Sequence, residues 1–322
     1  MRIVAALGGN ALLQRGERPD AAVQLHHVHQ AARSLAELVE AGHELVITHG
    51  NGPQVGLLAA ESEADPALTA PYPLDVLGAQ TQGMIGTLLA RELTGRLPGR
   101  AVAAVVTHTE VAPHDPAFQQ PSKFIGGQLT EAQAKTMETE RGWTTARDGD
   151  RQRRTVPSPR PVAISEVPAV RSLLATGTVV IAGGGGGVPV IRDTDTGLLH
   201  GVEAVVDKDL TAALLAEQLD ADALLILTDV THVFTGFATS RPRPLLTATP
   251  VQLRALDLPE GSMRPKAEAA ASFAERTGRL AAIGPLDNAL GILLGTTGTT
   301  VRVPADGRAA HHDLLPLGKE SW

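Results

Sequence analysis

Three times in this chain a short apolar run ends in glycine and passes into a helical stretch. Residues 2–7 (RIVAAL) lead to Gly8-Gly9-Asn10, residues 44–48 (ELVIT) to His49-Gly50-Asn51-Gly52, and residues 178–182 (TVVIA) to the five glycines Gly183 to Gly187. Most of these runs are apolar at consecutive positions, which is how strands read when helices cover both faces of a parallel sheet. Comparable runs at 101–106, 223–228, 280–283 and 299–303 extend the sheet. Helical spacing fills the intervals. Over 21–41 the apolar positions Val23, Leu25, Val28, Ala32, Leu35, Leu38 and Val39 recur at that spacing, and Gly42 closes the helix. A second long helix is expected over 74–94, and shorter ones over 208–219, 250–256, 265–277 and 285–293. This alternation predicts the α/β class, as a three-layer αβα sandwich around a mainly parallel sheet.

The rhythm breaks between about Pro113 and Pro161, where strong apolar periodicity is lost and one polar helix is expected over 130–141. That stretch is expected to leave the sheet as a small protruding subdomain or lid, loosely packed and mobile between stiff proline-flanked ends. The last residues, 305–322, are expected to form a tail with little structure of its own.

Composition narrows the function. Aromatic residues make up 2% of the chain and the formal net charge is −7, so neither a base-stacking platform nor a phosphate-polymer surface is on offer. Nucleic acid is therefore not expected as a partner. With no cysteine, disulfides, thiol catalysis and cysteine–zinc sites are excluded. No apolar run reaches the roughly 18 to 20 residues that cross a bilayer, and the N-terminal residues lack a signal-peptide pattern. A cytoplasmic protein with no membrane partner is expected.

Three glycine turns at the same edge of a parallel sheet favour an anion or phosphate site there, because glycine lets backbone N–H groups approach a ligand. The run Gly183–Gly187 is the least ordinary of the three. P-loop, dinucleotide-fold and protein-kinase signatures are absent. Lysines are few, and their settings stand out. Lys208 lies in Val206-Asp207-Lys208-Asp209-Leu210, where a helix should start. Either Asp207 or Asp209 caps that helix and Lys208 is solvated, or Lys208 and Asp209 face the sheet edge and stabilise a phosphoryl group. Lys266 follows another glycine turn with Pro265 beside it, and Lys123 lies inside the excursion. His26 and His29 share a helix face, but no carboxylate joins them at matching spacing, so no metal site is expected there. Arg147, Arg151, Arg153, Arg154 and Arg160 read as a solvated run, or as anion holders if the excursion folds over the site.

Taken in order, GGNAL (8–12), THGNGPQVG (48–56), PLDVLGAQTQGMIG (73–86), DPAFQQPSKFIGG (115–127), VPSPRP (156–161), VVIAGGGGGVPVI (179–191), GVEAVVDKDL (201–210), LLILTDV (224–230) and GSMRPKAEAA (261–270) resemble the carbamate kinases, within the amino acid kinase family. Relatives that phosphorylate amino acids carry a lysine just before the first glycine pair, where this chain has Val4-Ala5-Ala6-Leu7. The resemblance implies reversible phosphoryl transfer between carbamoyl phosphate and ADP, giving ATP and carbamate, with Mg²⁺, in a homodimer. It implies a carbamoyl phosphate lobe over 1–205, with 113–161 as its protruding subdomain, and a nucleotide lobe over 206–304. Lys123, Lys208 and Lys266 would be the cationic stabilisers, with Asp209 orienting two of them. Gly8, Gly9, Asn10, Gly50, Asn51 and Gly52 would hold the carbamate and the transferred group, and Thr228, Asp229 and Met263 would line the nucleotide site.

Thr87, His108 and Arg160 depart from the family's usual residues, and the segment after Val230 lacks its usual tyrosine. Thr87 and His108 are expected to alter packing around the substrate, and the missing tyrosine to alter base stacking. A same-fold kinase of another small carboxylate and a non-catalytic ligand sensor are the competing readings.

Overall fold

The computed structural model describes residues 1–9, 17–18, 20–237, 242–259 and 261–304. Asn10 and the tail 305–322 lie outside the described residues. In chain order the first elements are β1 (Arg2–Leu7), α1 (Ala21–Glu40), β2 (Glu44–His49), α2 (Gln54–Ala64), α3 (Leu74–Arg96), β3 (Val102–Ala104) and β4 (His108–Val111). The excursion then holds β5 (Lys123–Leu129), α4 (Glu131–Arg141), β6 (Thr144–Asp148) and β7 (Arg151–Val156). The chain returns through β8 (Pro161–Ile164), α5 (Val167–Ala175), β9 (Val179–Ile181), β10 (Val188–Arg192) and β11 (Leu199–Gly201). It continues with α6 (Lys208–Gln218), β12 (Ala223–Thr228), β13 (Val233–Thr235), β14 (Arg243–Leu245) and β15 (Thr247–Ala248). It closes with α7 (Pro250–Arg254), α8 (Met263–Thr277), β16 (Leu280–Pro285), α9 (Ala289–Leu294) and β17 (Thr299–Val301).

One sheet, ordered β15-β17-β16-β12-β1-β2-β9-β3, forms the middle layer. Its ladders are parallel except β16–β17, so the run expected at 299–303 enters antiparallel. β1 lies at the centre, parallel to β12 and β2 with Ile3 opposite both Ala223 and Leu45. Alternate residues of β1 serve opposite cores. Ile3, Ala5 and Leu7 pack with Leu35, Leu38, Leu89 and Ile292, from α1, α3 and α9. Val4 and Ala6 pack with Val170, Leu215, Ala216 and Phe273, from α5, α6 and α8. Each large side chain so buried contributes about 1.5–3 kcal/mol. Among the described residues no helix is long and apolar enough to cross a membrane.

A second sheet, ordered β11-β10-β4-β8, was not expected from the sequence. The chain leaves the body through β4 and returns through β8, which pairs antiparallel with it, Thr109 opposite Ile164. The base of the excursion is therefore a two-strand ladder, not a pair of free hinges. The excursion itself is a three-stranded antiparallel sheet, β5-β7-β6, carrying α4. Thr130 and Gln133 start α4 with a reciprocal capping box. Few buried contacts were expected here, but Ile125 and Val156 are 4% exposed and join Val55, Ala59, Leu74, Leu77 and Val205 in a third core. The periodicity is weak because strands such as RQRRTV place arginines on both faces of a small sheet.

The five-glycine run is mostly a packing junction. A Cβ on Gly184 would meet the His49 ring, and one on Gly187 would lie 2.0 Å from Thr109 Oγ1. Gly186 has φ of +94°, and a Cβ there would lie 2.2 Å from the Val206 carbonyl oxygen. Backbone cannot yield as a flexible side chain can, and L side chains rarely adopt that φ. Gly186→Ala is expected to destabilise the fold by about 2 kcal/mol or more, read as a lowered urea midpoint with unchanged slope.

Candidate active site

The start of α6 sorts its two aspartates. Asp207 is the N-cap, its Oδ1 accepting from the Asp209 backbone N–H at 2.9 Å. That leaves the Asp209 carboxylate free to turn inward, where the residue is 3% exposed. Lys208 Nζ donates to its Oδ1 at 2.6 Å, and Lys266 Nζ, from the first turn of α8, donates to its Oδ2 at 3.1 Å. Both lysine side chains are only 11% exposed, so Lys208 is not a solvated first-turn residue. Lys123 arrives from the excursion, and its Nζ donates to Asp207 Oδ2 at 2.6 Å. Asp207 thus caps α6 with one oxygen and ties down the excursion with the other.

Burial and charge set the protonation of this group. Burial opposes ionisation of Asp209, but Lys208 and Lys266 outweigh it and hold the carboxyl well below its usual range. Burial also dominates at Lys208, lowering its pKa to about 8, with Asp209 pulling upward and Lys266 pushing down. Lys123 loses to burial but gains more from Asp207, and its pKa is raised. His49, buried beside this cluster, is pushed to about 4 by burial and stays neutral, its Nδ1 donating to the Gly50 carbonyl at 2.7 Å.

The three lysines and two aspartates share one cleft of about 770 Å³ beyond the carboxyl ends of β1, β2 and β12. Gly8, Gly9, Gly50, Asn51 and Gly52 line it, as do Thr228, Asp229 and Met263, together with Lys123, Lys208, Asp209 and Lys266. Gly50 lies close under the Lys208 stem: a Cβ there would sit 3.2 Å from Lys208 Cδ, so the lysine would have to shift slightly. Of the five-glycine run only Gly185 reaches the cleft. Every sequence-predicted site residue that the structure describes is present here.

Other expectations are corrected. Thr87 is exposed on α3, and His108 is held by Glu166, its Nδ1 2.7 Å from Oε1; neither lines the cleft. Where the tyrosine is missing, His232, Phe234 and Phe237 line the cleft instead. They lie on or beside the hairpin β13–β14, whose short strands left no periodic signal. Two members of the arginine run are not simply solvated. Arg153 lines the cleft, stacked over Phe124 at 5.4 Å, and Arg154 stacks over Trp143 at 4.5 Å. Asp207 was read only as a possible cap, since nothing in the local sequence links it to Lys123, 84 positions away. His29 lies near Glu92 and Arg96, and among the described residues no three His, Asp or Glu side chains are grouped to hold a metal.

In the free protein Lys208 is expected to titrate near pH 8, and Asp209→Asn to lower that pKa further by removing its upward pull. NMR of ¹³C-methylated lysines checks both. Because the folded pKa lies below the unfolded value of about 10.4, the unfolded state binds more protons between the two. Lys208 by itself therefore makes the fold gain stability as pH rises through that window.

A family model for the amino acid kinase family matches residues 1–284. The carbamate kinase of Haemophilus influenzae is 45% identical over 308 residues, spanning 95% of this chain and 98% of its own. A crystal structure from Aeropyrum pernix superposes with a TM-score of 0.88 at 41% identity, over 94% of this chain and 100% of that one. The carbamate kinase of Giardia lamblia bound to AMP-PNP superposes with a TM-score of 0.84 at 36% identity, over 94% of this chain and 98% of its own. The shared sandwich and the near-complete coverage in both directions lead to one conclusion: the chain belongs to the amino acid kinase family.

Proposed function

We propose that the protein is a carbamate kinase, transferring a phosphoryl group reversibly between carbamoyl phosphate and ADP to give ATP and carbamate. The observation that carries this reading is the lysine arrangement. Asp209 bridges Lys208 and Lys266, the excursion delivers Lys123 to the neighbouring Asp207, and strand β1 carries Leu7 just before its glycine pair. The high similarity to carbamate kinases over nearly the whole chain supports it.

The chemistry asks for little more than charge and alignment. A β-phosphate oxygen of ADP attacks the phosphorus of carbamoyl phosphate, and the bond from phosphorus to the carbamate oxygen breaks. Carbamate leaves as an anion, so no proton needs to move. Lys208 and Lys266 offset the charge spread over the transferred oxygens, and backbone N–H groups at Gly8–Gly9 and Gly50–Gly52 add donors. Asp209 orients the two lysines and does not act as a base. Lys123 meets the carbamate end under the excursion, which excludes water that would hydrolyse carbamoyl phosphate. On this reading residues 1–205 form the carbamoyl phosphate lobe and 206–304 the nucleotide lobe, with Thr228, Asp229 and Met263 near the base.

Mg²⁺ enters as part of the nucleotide substrate. Of the cleft carboxylates, Asp207 and Asp209 are engaged by ammonium groups and Asp229 Oδ1 accepts from Thr228 Oγ1 at 3.0 Å, so the nucleotide phosphates would be its main ligands. The homodimer and a place in arginine metabolism rest on the family resemblance, and the cytoplasmic setting on the sequence expectation.

Purified protein is expected to form ATP from carbamoyl phosphate and ADP, and to leave acetate, glutamate and aspartate unphosphorylated. Lys208→Ala should lower turnover by roughly 10²-fold with a smaller effect on ADP binding. A chain that is inactive with carbamoyl phosphate, or a Lys208→Ala variant with normal turnover, would refute the reading. Lys123→Ala should raise the KM for carbamoyl phosphate far more than that for ADP; equal effects on both would place Lys123 elsewhere in the reaction.

A further inference from the structure

The small sheet of the excursion has one face turned to the body, and the ladder fixes which residues share it. Lys123 lies opposite Val156 and Ile125 opposite Arg154, so these four side chains project from the same face. Across from them α2 presents Val55, Ala59 and Glu63, spaced four apart along one helix face. Val55 and Ala59 meet Ile125 and Val156 in the third core, and Arg154 Nη1 reaches Glu63 Oε1 at 3.3 Å. The ion pair is partly sheltered, with 20% and 17% of the two side chains exposed, and the Arg154 guanidinium stacks on Trp143 at 4.5 Å.

A second contact on the same helix is steric. A Cβ on Gly56 would lie 2.4 Å from Gly126 Cα and 2.7 Å from Gly126 N, so backbone meets backbone there. Glu63 lies seven residues further on, about 10 Å along the helix axis. The excursion therefore touches α2 at a tight point near the cleft and at a polar point near the far end. A cavity of about 350 Å³, lined by Glu63, Tyr72, Arg141, Trp143, Arg154 and Glu203, lies against the polar point and leaves room for the guanidinium to move.

We infer that Arg154, clasped between Glu63 and Trp143, is a positioning residue for Lys123. Gly56–Gly126 is the pivot and Arg154–Glu63 the latch. Closing the latch sets the tilt of β5 and so brings the Lys123 ammonium to Asp207 at the mouth of the carbamate site. The inference rests on the functional reading above only for its kinetic readout. Arg154 touches neither the cleft nor Lys123, so it acts through the sheet.

The test uses the full chain carrying Trp322→Phe, which leaves Trp143 as its single tryptophan. In this background Arg154→Ala and Glu63→Ala are each expected to raise the KM for carbamoyl phosphate about tenfold and to leave the KM for ADP within about twofold. The double variant should be no worse than either single one, since both remove the same contact. Arg154→Lys, which keeps the charge but not the planar stack, should recover part of the loss. Equal changes in both KM values, or none, would overturn the latch. If the parent chain has no activity on carbamoyl phosphate, the functional reading falls and the latch is judged by hydrogen exchange. Arg154→Ala should then speed exchange at Lys123–Leu129 and shift Trp143 emission to the red, with β1 and β12 still protected. Unchanged exchange at Lys123–Leu129, or uniform loss of protection throughout the sheet, would sink it.

Discussion

Asp209 shares one buried carboxylate between two ammonium groups, and much of the molecule is arranged to make that tolerable. A charge taken out of water costs several kcal/mol unless it is paired and hydrogen-bonded. Here three lysines and two aspartates meet at the start of α6. Asp207 occupies one of its oxygens with the helix cap and the other with Lys123, while Asp209 divides its oxygens between Lys208 and Lys266. Remove Asp209 and two ammonium groups face each other in a sheltered pocket. The three lysines come from three distant parts of the chain, so the cluster exists only when the central sheet, α8 and the excursion are all in place.

The middle of the central sheet was legible because β1, β2, β9 and β12 are buried on both faces, so the signal is a plain apolar run. β1, β2 and β12 were found this way, with the turns that follow them. What was lost had other physics. α2 begins in HGNGPQVG, where glycine and proline read as a turn; Gly56 is there because Gly126 backbone crosses the helix. β4, β8, β10 and β11 are short strands of a side sheet, three to five residues each, too brief for a period to show.

The site was legible in a different way. Lys208 and Asp209 stand at a helix start and Lys266 follows a glycine turn, local patterns that point to an anion. Lys123 was reachable only through the family resemblance, because its partner is set by docking rather than by sequence neighbours. The five-glycine run shows how a correct observation can carry the wrong reason. Its flexibility looked like a ligand cradle, yet most of it is required where the chain squeezes between His49, Thr109 and Val206. Of that run only Gly185 lines the cleft.

Charge arithmetic explains why such a cluster suits a phosphoryl group better than a neutral ligand. Three ammonium groups face two carboxylates, so the cluster carries one net positive charge when all are ionised. An ammonium has three N–H donors, and among the described residues the two aspartates take one from each lysine. The remaining donors can turn to a ligand without breaking the pairs that hold them. An incoming phosphoryl dianion more than offsets that positive charge and favours the protonated form of Lys208, whose pKa of about 8 in the free protein reflects burial without that partner. A neutral ligand would leave the imbalance in place and desolvate it further. The aspartates therefore do more than steady the lysines: they trim three positive charges to the one that an anion in transit has to find.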